Sequence, residues 1–455
     1  MSSDPTLDAR LSEWRAYAMR RRELRPSDLD ELEAHLRDQT ESLRSAGLDS
    51  DEAFLVAVKR MGALDALSRE FAREHSARLW KQLVFDGDPA EPAGPRIAVD
   101  ARAAIGLAVL AGVLFKLPTL FGVPLMDGNE WFYLRNSSLF VLPLLASYFA
   151  WKRQLDLRVC IALAVPFALA LVLANAYPVR VPGMTAVLMA LHLPIVLWLV
   201  VGVGYAGTRW TQVEGRMDFI RFSGEWFIYY ALIAFGGIVF VGFTLALFQA
   251  IRLPGILRVV QTWVIPCGAL GAVMVGAWLV EAKQSVVENM APVLTRIFTP
   301  LFTILLVVFL GAMAFTGNGL NVEREILIAF DLLLALVLGL VLYAMSARDP
   351  QAPPNAFDIL QFVLVIAALA VDLVALAAIS ARITEFGFSA NKVAALGENL
   401  VLLVNLSWSA WLYWRFIRGR QAFTALESWQ TGYLPVFAAW AALVVIAFPP
   451  FFRWA

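Results

Sequence analysis

The sequence predicts an all-α integral membrane protein: a small, soluble, charged helical bundle at the N-terminus, then a polytopic bundle of about eleven membrane-spanning helices. Composition points there first. The chain is 60% hydrophobic and 16% charged, whereas soluble domains average roughly 45–50% apolar and about 25% charged. Its mean hydropathy is +0.67. Patterning agrees. From about residue 100 onward, apolar residues fall in runs of roughly 17–25, the length a helix needs to cross a ~30 Å hydrocarbon layer. One aqueous core cannot hide so much apolar surface, so lipid must solvate part of it.

Residues 1–85 read as a soluble domain, with 14 Lys/Arg and 16 Asp/Glu. Leu7, Leu11, Trp14 and Ala18 recur at helical spacing. Pro26-Ser27 opens a second helix, with Ser27 as N-cap and Asp30 three residues on, an imperfect capping box. Leu29, Leu32, Leu36 and Leu43 form its inner face, and Gly47 stops it. Asp49-Ser50-Asp51 caps a third helix with Phe54, Val58 and Met61 inward. A fourth, from about Asp65 to Val84, buries Leu67, Phe71, Leu79 and Leu83. Short loops between short helices make a compact bundle. Residues 86–100 are a linker that opens on the Pro/Gly/Asp-rich DGDPAEPAGPR.

The transmembrane domain, 101–455, has predicted spans at 103–123, 134–151, 159–177, 185–206, 226–250, 259–280, 297–316, 326–346, 357–381, 393–417 and 433–452. Trp131, Trp226, Tyr413 and Trp414 sit at span ends, as an interfacial aromatic belt requires. With no signal peptide, the first span near Ala103 serves as its own insertion signal. Loops after the even spans carry about twelve Lys/Arg and the others about eight, which places the N-terminus in the cytoplasm of a bacterial inner-membrane protein. Among the richest are Lys152, Arg153, Arg209, Arg221, Arg415 and Arg418. Eleven spans put Ala455 outside. Span 2 starts at a charged edge near Arg135, and losing it would reverse that parity. No internal repeat is visible.

Equal numbers of basic and acidic side chains, 37 each, leave no nucleic-acid footprint. Cys160 and Cys267 lie in apolar runs and read as packing residues. Three histidines, His35, His75 and His192, cannot build a His-rich metal cluster. No phosphate loop, nucleophile elbow or metalloprotease helix appears. The expectation is a chain without cofactor or catalytic residues.

Ionisable groups inside spans are the candidates for function, because lipid makes them costly. Lys116 and Asp372 lie just beyond the midplanes of spans 1 and 9. Asp331 and Glu398 lie in the outer halves of spans 8 and 10. Similar depth predicts one outward-facing polar cavity, with Lys116 and Asp372 as a pair. The plainer reading is that Lys116 snorkels and Asp331 caps a helix start. His192 beside Pro194 reads as a packed, hydrogen-bonded residue, and Asn405 and Ser407 as interhelical hydrogen-bonding groups. The loop RITEFGFSANK, 382–392, gathers Arg382, Glu385, Gly387, Ser389 and Asn391. It is either a functional surface loop or a helix cap beside an exposed ion pair.

Two segments resemble known families. ELRPSDLDELEAHLRDQ and GLDSDEAFLVAVKRMGALDALSREFAREH resemble the bacterial permease prefix domain, a helical bundle similar to the HAAS signalling domains. The membrane part is similar to domain of unknown function 4153 through Arg382-Ile383, Glu385, Gly387, Asn391 and Leu396, with Ser389 and Lys392 as mild departures. Neither family carries a known substrate or catalytic residue. The first resemblance implies a cytoplasmic protein partner for residues 1–85, in a PadR-type regulator system. Three functions follow as expectations: a sensor or regulatory component, a permease for a small solute or lipid, or an intramembrane enzyme using Asp372 and Glu398, which no spacing supports.

Overall fold

The computed structural model describes residues 95–251, 255–282, 290–316 and 324–454, with positions 33, 36–40, 43, 53 and 57 of the N-terminal segment. The chain divides into two compact units, Met1–Pro92 and Ala93–Ala455. In the first, the described positions are helical. Leu36, Thr40, Leu43, Ala53 and Ala57 are buried, so Leu36 and Leu43 lie inward as their spacing predicts. The Thr40 hydroxyl donates to the Leu36 carbonyl at 2.7 Å. Most of the predicted bundle, including Phe54, Val58, Met61 and the linker up to Gly94, lies outside the described residues.

In the second unit the described residues contain helices and no strand. They are α1 Pro95–Leu120, α2 Glu130–Asn136, α3 Leu142–Lys152, α4 Leu157–Ala176, α5 Met184–Ala206, α6 Val213–Ala250, α7 Ile256–Ala282, α8 Met290–Thr316, α9 Arg324–Ser346, α10 Ala356–Phe386, α11 Ala390–Ile417 and α12 Thr424–Phe451. All but α2 and α3 are long and apolar enough to cross a membrane, which makes ten such helices among the described residues. This is a multi-pass membrane protein. Phe235, Ile238, Phe243 and Leu247 on α6 are exposed, as lipid-facing side chains should be. Helix α1 starts at Pro95, inside the predicted linker.

Ten continuous helices is one fewer than predicted, and span 134–151 accounts for the difference. It breaks into α2, a 3₁₀ turn at Ser137–Phe140, and α3. Pro143 lacks an N–H, and its ring would strike the Leu139 carbonyl if the helix ran straight through. Asn136 then ties the break down, donating to Phe132 O at 2.9 Å and exchanging hydrogen bonds with Asn175 at 3.0 and 2.8 Å. The broken segment still runs from one end of the bundle to the other. Tyr133 donates to Val123 O at 2.6 Å just beyond the end of α1, and Lys152 meets Asp100 near its start at 3.2 Å.

Polar contacts also join the other helix ends. Arg153 reaches the Tyr205 carbonyl at the end of α5, Arg221 reaches Ser346 O at the end of α9, and Arg348 pairs with Asp358 at the start of α10. At the opposite end, Arg180 N–H donates to Trp454 O at 2.9 Å. The start of α1 and the end of α12 therefore lie at opposite ends of the bundle.

Packing divides into two cores. One gathers Phe115, Leu145, Phe149, Leu197, Phe222 and Met274 from the first half of the unit. The other gathers Leu306, Val337, Leu364, Val371, Leu406 and Leu426 from the second half. Helices α5 with α12, and α6 with α9, bridge them. At the α6–α9 contact a Cβ on Gly224 would sit 2.3 Å from the Tyr343 ring, so only glycine admits that approach. Prolines inside α1, α4, α5, α8 and α12 each free a carbonyl that needs another donor in lipid. For Pro450 the freed carbonyl is that of Ile446, and the Tyr177 hydroxyl donates to it at 3.1 Å.

Candidate functional site

Between the two cores, at mid-depth of the bundle, lies a cavity of about 750 Å³. Cavities that hold small ligands run to roughly 300–1,000 Å³. Its wall is mostly apolar and aromatic: Trp198 of α5, Trp226 and Tyr230 of α6, Phe437 and Trp440 of α12. Ser137, Ser138 and Val141, from the break between α2 and α3, also line it. Irregular backbone at membrane depth is tolerated where protein buries it or where it lines a cavity. Both conditions hold here.

Two chemically distinctive side chains reach this cavity, His192 and Glu398. His192 is one turn beyond Leu188 on α5, and its Nδ1 sits 2.9 Å from the Leu188 carbonyl. A carbonyl can only accept, so Nδ1 carries the hydrogen and Nε2 of the neutral ring is an acceptor. The predicted packed histidine is therefore buried and bonded, and it also faces a site. Glu398 makes no hydrogen bond or ion pair with a described residue. It follows Gly397, where a Cβ would come within 1.9 Å of the Trp440 ring. The absent side chain lets that indole lie on the α11 backbone beside the carboxylate.

Of the four in-span charges predicted to share a cavity, only Glu398 lines this one, while Asp331 and Asp372 are grouped with it by electrostatics. Asp331 of α9 is the electrostatic neighbour of both Asp372 of α10 and Glu398 of α11. Asn399 donates to Asp331 Oδ1 at 2.8 Å. Asp372 is fully buried, and both its carboxyl oxygens lack a hydrogen-bond partner among the described residues. No Lys or Arg side chain among the described residues acts on any of the three. Nor do the described residues include a group of His, Cys, Asp or Glu arranged to hold a metal ion.

Lys116 is the exception, which corrects the predicted pair with Asp372. Helix α1 packs on α7 and α3, whereas α10 packs on α11, α8 and α9, so equal depth did not mean adjacency. Lys116 instead donates to the Thr262 carbonyl and lies 4.3 Å from the Trp263 ring centroid. Thr262 belongs to a π-turn of α7, Val260–Val264, where the α-helical hydrogen-bond register is interrupted. Lys116→Leu and Asp372→Leu should therefore combine additively, with a coupling below about 0.5 kcal/mol. Asp372→Leu alone should leave the melting temperature of the detergent-solubilised protein unchanged or raised. Leucine shares aspartate's branch at Cγ, at the cost of some added bulk, and removes a buried carboxyl whose unmet hydrogen bonds cost about 1–3 kcal/mol. Thermal unfolding of the two single variants and the double variant checks both statements.

The 382–392 loop is elsewhere, at the end of α10. Glu385 is exposed. Gly387 has φ +72°, a backbone that suits glycine. Ser389 occupies the N-cap position of α11 without capping it; its hydroxyl meets Asn391 Oδ1 at 2.8 Å instead. Lys392 closes the turn by donating to Gly387 O at 2.8 Å and Arg382 O at 3.3 Å. Farther along α11, Asn405 does join helices, exchanging hydrogen bonds with Gln430 of α12 at 3.0 and 3.2 Å. Ser407 does not: it is exposed, and Ser409 accepts from Gln430 at 2.7 Å in its place.

Residue patterns missed the aromatic wall, because Trp198, Trp226 and Trp440 come from three helices far apart in the chain. They also missed the buried clusters around Glu281 and Asp358. Comparison of the chain with protein-family models, with curated proteins and with solved structures found no match.

Proposed function

We propose that this chain is a non-enzymatic membrane sensor or regulatory component whose membrane unit binds a small, lipid-like molecule in the mid-depth cavity. The cavity carries the reading. It has the volume of a ligand site, an aromatic wall and two polar groups convergent from α5 and α11. Lys152, Arg153, Arg209, Arg221, Arg348, Arg415 and Arg418 crowd the end of the bundle where α1 begins. The positive-inside rule favours that end as the cytoplasmic one. The resemblance of residues 1–85 to permease prefix domains supports a coupling role through a protein partner of the PadR-type systems.

A second reading, a permease for the same molecule, draws on the helix break at the cavity. Discontinuous helices at the midplane are a recurring feature of transporter binding sites. Native mass spectrometry of the protein released from nanodiscs tests the shared premise: a small molecule should co-purify with the natural protein and be lost from Ala335→Phe, which puts a ring into the cavity. Both proteins free of any bound molecule would overturn it. Uptake of that molecule into proteoliposomes would select the permease, and binding without uptake the sensor.

A further inference from the structure

We infer that the cavity selects a cationic amphiphile, a molecule with a protonated amine head and an apolar body, seated with its head against Glu398 and His192. This rests on the ligand-binding reading above and names the class of ligand. Four observations converge on it.

The polar groups accessible from the cavity are mainly acceptors. Glu398 offers a carboxylate, and His192 offers Nε2 because Nδ1 is committed to Leu188 O. The indole donors nearby are occupied or closed off. The Trp198 indole N–H donates to Ser223 at 3.0 Å and that of Trp226 to Val273 O at 3.1 Å. Trp440 Nε1 and Ser138 Oγ have no hydrogen-bond partner among the described residues but are buried out of reach of the cavity space. The donors left on the wall are the neutral hydroxyls of Ser137 and Tyr230, and no cationic side chain stands there to match an anionic head.

Charge points the same way. Glu398 shares its surroundings with Asp331, and Asp331 with Asp372. No described Lys or Arg compensates the three. Carboxyl groups gathered in a low-dielectric interior either take up protons or gain a cation; the described residues supply no cation, and an ammonium head would.

The wall then discriminates between kinds of cation. Trp198 and Trp226 lie tilted at 41° with centroids 4.3 Å apart, and Trp226 stacks on Tyr230 at 5.2 Å. Aromatic faces attract organic ammonium groups through the ring quadrupole, the more so when desolvated. A small inorganic ion would need several oxygen ligands at short range, and this wall offers one carboxylate amid apolar carbon. Volume closes the argument: about 750 Å³ accommodates an alkyl chain as well as a head, within the usual range for ligand sites.

The test uses the full chain in phosphatidylcholine nanodiscs and three probes of equal chain length: dodecylamine, dodecanol and dodecanoate. Binding of radiolabelled dodecylamine is measured by scintillation proximity, with Ala335→Phe defining partition into lipid. Dodecylamine should bind at least about tenfold tighter than dodecanol, and dodecanoate most weakly. Glu398→Gln should abolish the preference for dodecylamine over dodecanol. A melting temperature and a monodisperse elution matching the natural protein's show that the variant is folded. Equal binding of all three probes, each lost in Ala335→Phe, would overturn the cationic selectivity and leave the ligand-binding reading standing. No probe signal above that of Ala335→Phe would overturn both. Displacement of dodecylamine by sodium chloride as effectively as by tetrabutylammonium chloride at equal ionic strength would show an inorganic cation site and also overturn the inference.

Discussion

Glu281→Gln should lower the stability of the detergent-solubilised protein by about 3–5 kcal/mol, the usual cost of breaking a buried ion pair from one side. The Glu281 carboxylate is 2% exposed and receives Lys152 at 3.0 Å and Arg153 at 3.1 Å. Lys152 also meets Asp100 at 3.2 Å, and Arg153 donates to Tyr205 O at 3.2 Å. One carboxylate near the end of α7 therefore gathers the start of α1 and the ends of α3 and α5. Glutamine keeps the shape but removes the charge, leaving Arg153 without a counter-ion and Lys152 with Asp100 alone. The consequence should be local as well as global. Helix α3 is short and follows a break, so this cluster is its main polar anchor. Thermal unfolding should show the loss, and hydrogen exchange should show faster opening of 142–152 than of α10. A Glu281→Gln protein that melts with the natural one would mean that the apolar contacts of Leu145 and Phe149 suffice to hold α3.

Arg348→Ala should have an effect of similar size, about 3–5 kcal/mol, because it strands a buried carboxylate. Arg348 grips Asp358 with Nε at 2.8 Å and Nη2 at 3.1 Å. The same guanidinium donates to the carbonyls of Asp349, Ala352 and Pro353 at 2.7, 3.0 and 3.1 Å. It lies 4.7 and 4.3 Å from the Phe416 and Phe423 ring centroids. Asp358 meanwhile closes the capping box of α10, accepting from Asn355 N–H at 2.8 Å while the Asn355 side chain accepts from Phe357 and Asp358 N–H. The α9–α10 turn is thus built around one planar cation. Arg348→Lys should recover less than half of the loss, since an ammonium cannot form the two-pronged pair or stack between rings. Limited proteolysis at 347–355 and thermal unfolding report both variants. Full rescue by lysine would reduce the turn to a simple charge pair.

Much of the architecture was legible without coordinates. Apolar run length alone located ten helices, because the hydrocarbon layer sets a minimum that few other structures meet, although α6 and α12 start well before their predicted spans, at Val213 and Thr424. Glu398 and Asp372 stood out for the same reason: a carboxylate amid apolar residues has no inexpensive place in lipid. The broken second span was half visible. Pro143 and the Asn136-Ser137-Ser138 run mark it, but hydropathy averages over them.

What the amino-acid order determined by itself is one-dimensional: which segments are helical, how long they are, and at what depth each charge sits. Those follow from local periodicity and from transfer free energies that each residue carries on its own. Which helices touch was decided only by tertiary structure. Depth placed Lys116 and Asp372 together, yet the bundle packs α1 against α7 and α10 against α11. Helix neighbours are chosen by shape at the contacts, such as Gly224 under Tyr343 and Gly397 under Trp440, and by pairs such as Asn405 with Gln430. Neither partner announces the other along the chain. The cavity exists only because six helices and one helix break enclose it, and its volume is a property of their packing.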